Sequence, residues 1–323
     1  MDQSQLDTLS RLVFDVTTAL LRPLIAFKQY DSFLYWPFLA VALSVAAVVF
    51  LFSRNRGEGN FFRRYFSRAI WGHVSAKADY KFYYINGVLF PAIFAPLILS
   101  GAWLGQLVDG GLADLLGPGS AGGLNGPWGV ALYTLVFFLA YDFGRYAAHY
   151  LLHRFDVLWH FHKVHHSAEV LTPFTSFRAH PVDLLVMATC PAAATGLVNG
   201  VFNFWSGGEV GLYLFFGLHA FIFLYNLVGN LRHTHVWLSY GPHLSQIFIS
   251  PAQHQIHHSV EERHWGRNMG FALAIWDRMF STLYVPSEHE DFAIGLGDGT
   301  EGRYHGVIGM YWQPFRDLFA GKG

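Results

Sequence analysis

Apolar residues fill the stretches 35–52, 85–104 and 128–148 almost without interruption. Two further runs, 182–205 and 210–229, are separated only by Ser206, Gly207, Gly208 and Glu209. A helix of about 20 apolar residues crosses the hydrocarbon layer of a bilayer, so the pattern predicts four to five transmembrane helices, the last two forming a hairpin. Residues 9–27 differ, because Arg11, Asp15 and Arg22 interrupt apolar positions at helical spacing. That suits a helix lying along the membrane surface, bent or ended at Pro23. The N-terminal residues lack the basic region and compact apolar core of a cleavable leader.

Composition agrees with an all-α integral membrane protein: 53% of residues are hydrophobic and only 13% charged, against about 25% charged in soluble domains. The net charge of -1 gives no reason to expect nucleic acid as a partner. The single cysteine, Cys190, sits in an apolar stretch and is read as a packing residue. Charge placement is more informative than its sum. Arg54, Arg56, Arg63, Arg64, Arg68, Lys77 and Lys81 fall between the first two runs, whereas residues 106–127 contain no Arg or Lys. The first loop is therefore expected in the cytoplasm and the Gly-rich segment 110–126 outside. Basic residues 54–68 are explained by this topology, although they also offer a surface for a docking protein.

Histidine supplies the chemistry. His149 and His153 form an H-x3-H box, and His162, His165 and His166 and then His254, His257 and His258 form two H-x2-H-H boxes. With 18 His in 323 residues, chance gives about 0.05 occurrences of H-x2-H-H, so two of them are not accidental. Residues three and four apart share a helical face, and each box can converge on one point. Threading the spans from the basic loop puts all three boxes on the cytoplasmic side. Imidazole suits Zn, Cu, Fe and Ni alike, but a structural zinc needs only four ligands and commonly uses Cys. Eight or more His with no carboxylate inside the boxes point instead to two redox metals beside the lipid layer. Asp142, seven residues before His149, is placed either to accept an imidazole N–H or to pair with Arg145 or Arg154.

The segments 142–153 (DFGRYAAHYLLH), 158–167 (LWHFHKVHHS), 178–183 (RAHPVD), 233–242 (HTHVWLSYGP), 251–259 (PAQHQIHHS) and 274–282 (AIWDRMFST) resemble the fatty acid hydroxylase and sterol desaturase superfamily. The resemblance covers about residues 128–285 and divides the chain into an N-terminal part, 1–127, a catalytic domain, 128–285, and a peripheral tail, 286–323. It implies a membrane-bound di-iron oxygenase in which the spans carry a cytoplasmic helical cap that holds the dimetal centre. Such an enzyme uses O2 and two electrons from a separate reductase or carrier to hydroxylate a C–H bond of a lipid. Carried over residue by residue, the likeness makes His149, His153, His162, His165, His166, His254, His257 and His258 ligands, with His180 and His233 completing the set. Asp183 and Asp277 join Asp142 as supporting carboxylates by motif position.

The remaining histidines are assigned elsewhere. His160 points away from His162 on a helix, His219 is expected to bond a backbone carbonyl or pack near the site, and His235 is held back as a ligand. His73, His243, His264, His289 and His305 are read as surface residues or as supports for the site. Phe137, Phe138, Phe215, Phe216, Phe221 and Phe223 are candidate walls of a lipid slot. No G-x-G-x-x-G fingerprint precedes a helix, so electrons are expected from a partner protein. A desaturase on the same site is the first alternative, because His spacing does not report whether a carbon radical gains oxygen or loses hydrogen. A metal transporter is disfavoured, because the boxes lie past the ends of the spans rather than along them.

Overall fold

A computed structural model describes residues 3–52, 60–119, 124 and 126–321. Its principal helices are α1 (Gln3–Ile25), α2 (Trp36–Phe52), α3 (Val74–Ile93), α4 (Gly101–Leu116), α5 (Pro127–Arg154), α6 (Asp156–His166), α7 (Pro181–Ser206), α8 (Ala220–Gly229), α9 (Pro251–His257) and α10 (Val307–Phe319). The strands β1 (Leu214–Phe215) and β2 (Leu218–His219) form a small antiparallel hairpin before α8.

Helices α5 and α7, of 28 and 26 residues, are long and apolar enough to cross a membrane. Pro127 and Pro181 occupy their first turns, where the missing N–H has no helical partner to lose. At about 1.5 Å per residue α5 exceeds the roughly 30 Å hydrocarbon layer by about two turns, and His149 and His153 lie in its last two turns. The two helices pack closely. A Cβ at Gly144 would lie 2.4 Å from the Pro191 Cα, so only glycine allows this approach.

The other predicted spans differ from the sequence pattern. Run 85–104 is broken in its middle: α3 ends at Ile93, and the segment 95–116 turns from it by 49°, so the pair is at most one bent span. Residues 110–116, expected in an external loop, continue α4. Run 210–229 does not form one membrane-length helix. Phe216 and Gly217 take positive φ in the β1–β2 turn, and the ten residues left for α8 reach only about 15 Å. α2 is a 17-residue apolar helix packed on α8. Among the described residues, two helices and up to one bent pair are long and apolar enough to cross a membrane, where the sequence pattern led to an expectation of four to five. The surface helix continues through Pro23 to Ile25, most of its side chains exposed, and Tyr83 Oη donates to the Pro23 carbonyl at 2.7 Å. Arg54 and Arg56 of the basic loop lie outside the described residues.

The C-terminal segment is not peripheral. α10 packs against α6, and Tyr304 and Met310 are buried in one cluster with Ala78, Phe82 and Val164. A fully buried ion pair holds this region to the boxes. Arg178 Nη1 donates to Asp79 Oδ1 at 2.6 Å, and the rest of the guanidinium donates to the carbonyls of Val164, Ser167 and Tyr304. Four chain segments distant in sequence therefore meet at one side chain.

Gly144→Leu should destabilise the α5–α7 contact by about 1–3 kcal/mol, as overpacked cores do. Melting in detergent should show a clear drop in Tm for this variant, whereas Gly110→Leu, whose Cβ meets nothing within 4 Å, should leave it near the parent value.

Candidate metal centre

The His boxes arrive on three helices and one turn. Phe155 breaks α5 from α6 with an extended backbone, which folds His162 and His166 back onto His149 and His153. α9 begins at Ser250, whose hydroxyl and the Gln253 side chain cap each other's backbone N–H groups, and it presents His254 and His257, with His258 at its end. The turn Asn230–His233 adds His233. These residues form two groups, His149, His153, His162, His166 and His257, and His165, His233, His254 and His258. Within each group the ligand atoms lie within 4.8 Å of one another. The second H-x2-H-H box divides between the groups, and so does the first.

The spacing fits metal coordination. The Nε2 atoms of His233 and His254 are 2.9 Å apart, and the pairs His165–His233, His233–His258 and His254–His258 are 3.3 Å apart. In the other group, His149 Nε2 lies 3.1 Å from His162 Nε2. Nitrogens held about 2.0–2.1 Å from one ion lie about 2.9 Å apart at right angles and about 3.4 Å at the tetrahedral angle. Three more nitrogens, Nε2 of His153, His166 and His257, are shielded from solvent and have no hydrogen-bond partner. An orphaned buried acceptor costs about 1–3 kcal/mol, and a cation removes that cost for all three.

The far side of each ring sets its tautomer. His149 Nδ1 donates to the Met269 carbonyl at 2.8 Å, His257 Nδ1 to the Arg267 carbonyl at 2.7 Å, and His162 Nδ1 to Asp183 Oδ2 at 2.8 Å. Each bond keeps the proton on Nδ1 and leaves Nε2 free as a ligand. Ser176 Oγ lies 2.9 Å from His233 Nδ1. His254 is the exception, since Arg232 Nη2 donates to its Nδ1 at 2.7 Å and guanidinium cannot accept. The neutral His254 ring carries its proton on Nε2, facing His233. For His254 to ligate through Nε2 as a neutral ring, its proton would have to move to Nδ1 and the Arg232 contact loosen.

Burial keeps the rings uncharged. It pushes His165 and His257 down to about 3, the neighbouring His162 adding to the shift, and holds His166, His233, His254 and His258 well below the ordinary imidazole value. Neutral imidazole is the ligating form.

His180, expected as a ligand, belongs to neither group. Its Nδ1 caps α7 by accepting from Val182 N at 3.1 Å, and its Nε2 donates to the Tyr311 carbonyl at 3.2 Å, so both ring nitrogens are already used. Asp142 neither accepts from a ligand ring nor pairs with Arg145 or Arg154. Two turns before His149, it receives the N–H groups of Ala272 and Leu273 and the Trp276 indole. Asp277 receives the N–H groups of Met269 and Gly270, both at 2.8 Å. The two carboxylates hold the segment whose carbonyls anchor His149 and His257. A Cβ at Gly270 would meet Asp277 Oδ2 at 2.7 Å and the Leu273 carbonyl at 2.5 Å, which leaves glycine there.

The other histidines have separate partners. His219 Nε2 donates to the Thr134 carbonyl, His73 caps α3, His235 stacks on Tyr65, His289 on Trp237, and His264 and His305 face Glu290 and Glu169. Arg232, Ser176 and the carbonyls of residues 267–270 carry no motif, and their roles emerge only from the fold.

A cavity of about 330 Å³ opens beside both groups. It is lined by His149, His162, His165, His233 and His254 and by Phe33, Leu184, Met187, Ile222 and Phe271, with Asp31 exposed at its edge. None of the six phenylalanines expected as its walls lines it. Phe137, Phe138 and Phe221 pack on His219, and Phe215 and Phe216 pack on Phe223.

Residues 134–282 match the family described as fatty acid hydroxylase. Ornithine lipid hydroxylase OlsE of Rhizobium tropici is 30% identical over 193 residues, covering 58% of this chain and 52% of that protein. Human alkylglycerol monooxygenase is 27% identical over 173 residues, 53% of this chain and 35% of that protein. Very-long-chain aldehyde decarbonylase GL1-9 of Oryza sativa subsp. indica is 26% identical over 194 residues, 58% of this chain and 70% of that protein. The chain thus spans about half the length of the hydroxylase and a third of the monooxygenase. No solved structure matches it.

His166→Ala should lower bound metal by about one ion per chain, because it removes one of the ligands of a single group. His180→Asn, which keeps a helix-capping side chain, should retain the parent content, and elemental analysis of the purified proteins reads both. In the metal-free protein the depressed imidazoles make stability greatest above pH 6.5 and decreasing as pH falls from 6.5 toward 3, because the unfolded chain takes up protons that the folded one excludes. Equilibrium unfolding of the chelated protein across that range should show this slope.

Proposed function

We propose that the protein is a member of the fatty acid hydroxylase family and a membrane-bound di-iron oxygenase that hydroxylates a C–H bond of a lipid. The observation that carries the reading is the placement of two groups of imidazole ligands, five and four, against one wall of an apolar cavity. Neutral nitrogen donors without carboxylates suit a redox metal, and the Nε2 spacings accommodate one ion in each group. The likeness to an ornithine lipid hydroxylase and an alkylglycerol monooxygenase supports oxygen insertion into a lipid.

Iron held in the two groups would supply activation of O2, which with two electrons and two protons puts one oxygen atom into the C–H bond and releases the other as water. The protein does the rest. His149, His153, His162, His166 and His257 hold one ion and His165, His233, His254 and His258 the other. Asp183 and the Met269 and Arg267 carbonyls fix the ring orientations. Leu184, Met187, Ile222 and Phe271 keep water from the cavity and seat the alkyl chain.

Electrons come from a separate protein, because no nucleotide-binding fingerprint is present. The Arg and Lys distribution orients α5 and α7 so that the His groups face the cytoplasm, where such a partner has access to them.

Iron-loaded protein in lipid nanodiscs, given O2 and a chemical reductant, should yield lipid carrying one oxygen atom derived from labelled O2, and mass spectrometry reads the label. His162→Ala and His257→Ala should abolish the product and lower bound iron, while His289→Ala should keep both. Loss of two hydrogens without label would assign a desaturase instead, and no O2 consumption by protein with full metal content would sink the oxygenase reading.

A further inference from the structure

Arg145 and Asn226 line the cavity but take no part in the metal groups. Arg145 lies on α5 one turn before His149, on the same helical face. Its guanidinium sits 4.9 Å from the Phe271 ring centroid, Nη1 makes a long 3.3 Å bond to the Met187 carbonyl, and Nε is shielded from water without a partner. Among the described residues no carboxylate pairs with it, because Asp142, the acid nearest in sequence, spends both oxygens on the 272–276 segment. Asn226, on α8, is 6% exposed and makes no side-chain hydrogen bond among the described residues.

A cation and an amide with free hydrogen-bonding capacity stand, then, in the wall of a largely apolar cavity. An ionisable side chain at such depth is expensive and marks a function. A bare hydrocarbon would leave both groups unsatisfied, whereas an acceptor oxygen on the ligand would satisfy them. Guanidinium only donates, so the ligand group must accept.

We propose that Arg145, assisted by Asn226, binds a hydrogen-bond-accepting oxygen of the lipid substrate and thereby directs oxidation to a carbon near that oxygen rather than to the distal chain. This rests on the lipid oxygenase reading above. The positional part rests on the cavity that Arg145 shares with His149 and His162: the Arg145 and His149 backbones on α5 are one turn apart, about 6 Å along the axis, so an oxygen held at Arg145 keeps the carbons beside it, rather than the distal chain, on the side of the His groups.

The test uses the metal-loaded protein in detergent without any electron donor, so that nothing turns over, and two radiolabelled probes of equal chain length, palmitamide and hexadecane. The parent protein should prefer palmitamide. Arg145→Gln should weaken palmitamide binding about tenfold, the scale of a hydrogen bond to a charged group, and leave hexadecane binding unchanged. Asn226→Leu should act in the same direction, more weakly. Metal content equal to the parent's would show that the variants are folded. Equal loss of both probes, or no preference in the parent, would overturn the proposal by assigning Arg145 to packing alone. Addition of reductant and O2 then separates the two readings. Arg145-dependent binding without any oxidised product leaves this proposal standing and removes the oxygenase. Oxygen inserted at distal carbons, unaffected by Arg145→Gln, keeps the oxygenase and removes this proposal.

Discussion

Nine imidazoles, grouped as five and four, are packed away from water within a few ångströms of one another, and the rest of the structure answers to that constraint. Each ring must stay neutral, since like charges at this separation in a poorly hydrated interior repel strongly. A neutral ring has one donor and one acceptor, and an unpartnered nitrogen in such a place is costly. The fold meets the demand at His149, His162 and His257 by facing Nε2 inward and giving the outward Nδ1 a fixed acceptor. Those acceptors are backbone carbonyls of Met269 and Arg267 and the carboxylate of Asp183. Asp277, Asp142 and Gly270 follow from the same need, because the carbonyl-bearing segment must itself be held still.

A second layer of constraint joins the site to the remainder of the chain. Arg178, buried with Asp79, collects carbonyls from the end of α6 and from Tyr304. Buried ion pairs add little net stability against an apolar alternative, but losing one partner leaves a charge stranded. Arg178 therefore acts as a register pin that admits one arrangement of α3, α6 and the C-terminal segment. His180 supports the same junction by tying the start of α7 to Tyr311 of α10. Motif position marks His180 as chemically special, and the structure uses it to join two helices.

Membrane and site are coupled through helix length. α5 is longer than a bilayer needs, its last two turns carry His149 and His153, and Leu184 and Met187 of α7 line the cavity beside them. The reverse case is α8. Its apolar residues continue a run that looks like a span, but Phe216 and Gly217 turn the chain back on itself and leave a helix too short to cross. Hydropathy measures transfer to lipid and is equally satisfied by packing against other helices, so run length alone did not separate α7 from α8.

The sequence by itself determined the helical class, the apolar character of α5 and α7, and the identity of nearly every histidine in the two groups, because those features are local: helix periodicity brings His149 to His153 and His162 to His166 whatever the rest of the chain does. It also pointed to Asp183, next to a helix start. Only the tertiary structure decided how the boxes divide, sending His165 to His233, His254 and His258 while His162 and His166 stay with His149, since that depends on the direction in which three helices cross. Nor could any local pattern report that Arg232 meets His254, that carbonyls of residues 267–270 anchor the rings, or that Arg145 lacks a carboxylate partner. Those facts belong to pairs of residues far apart in the chain, and the energy of a buried polar group is set by which distant atoms reach it.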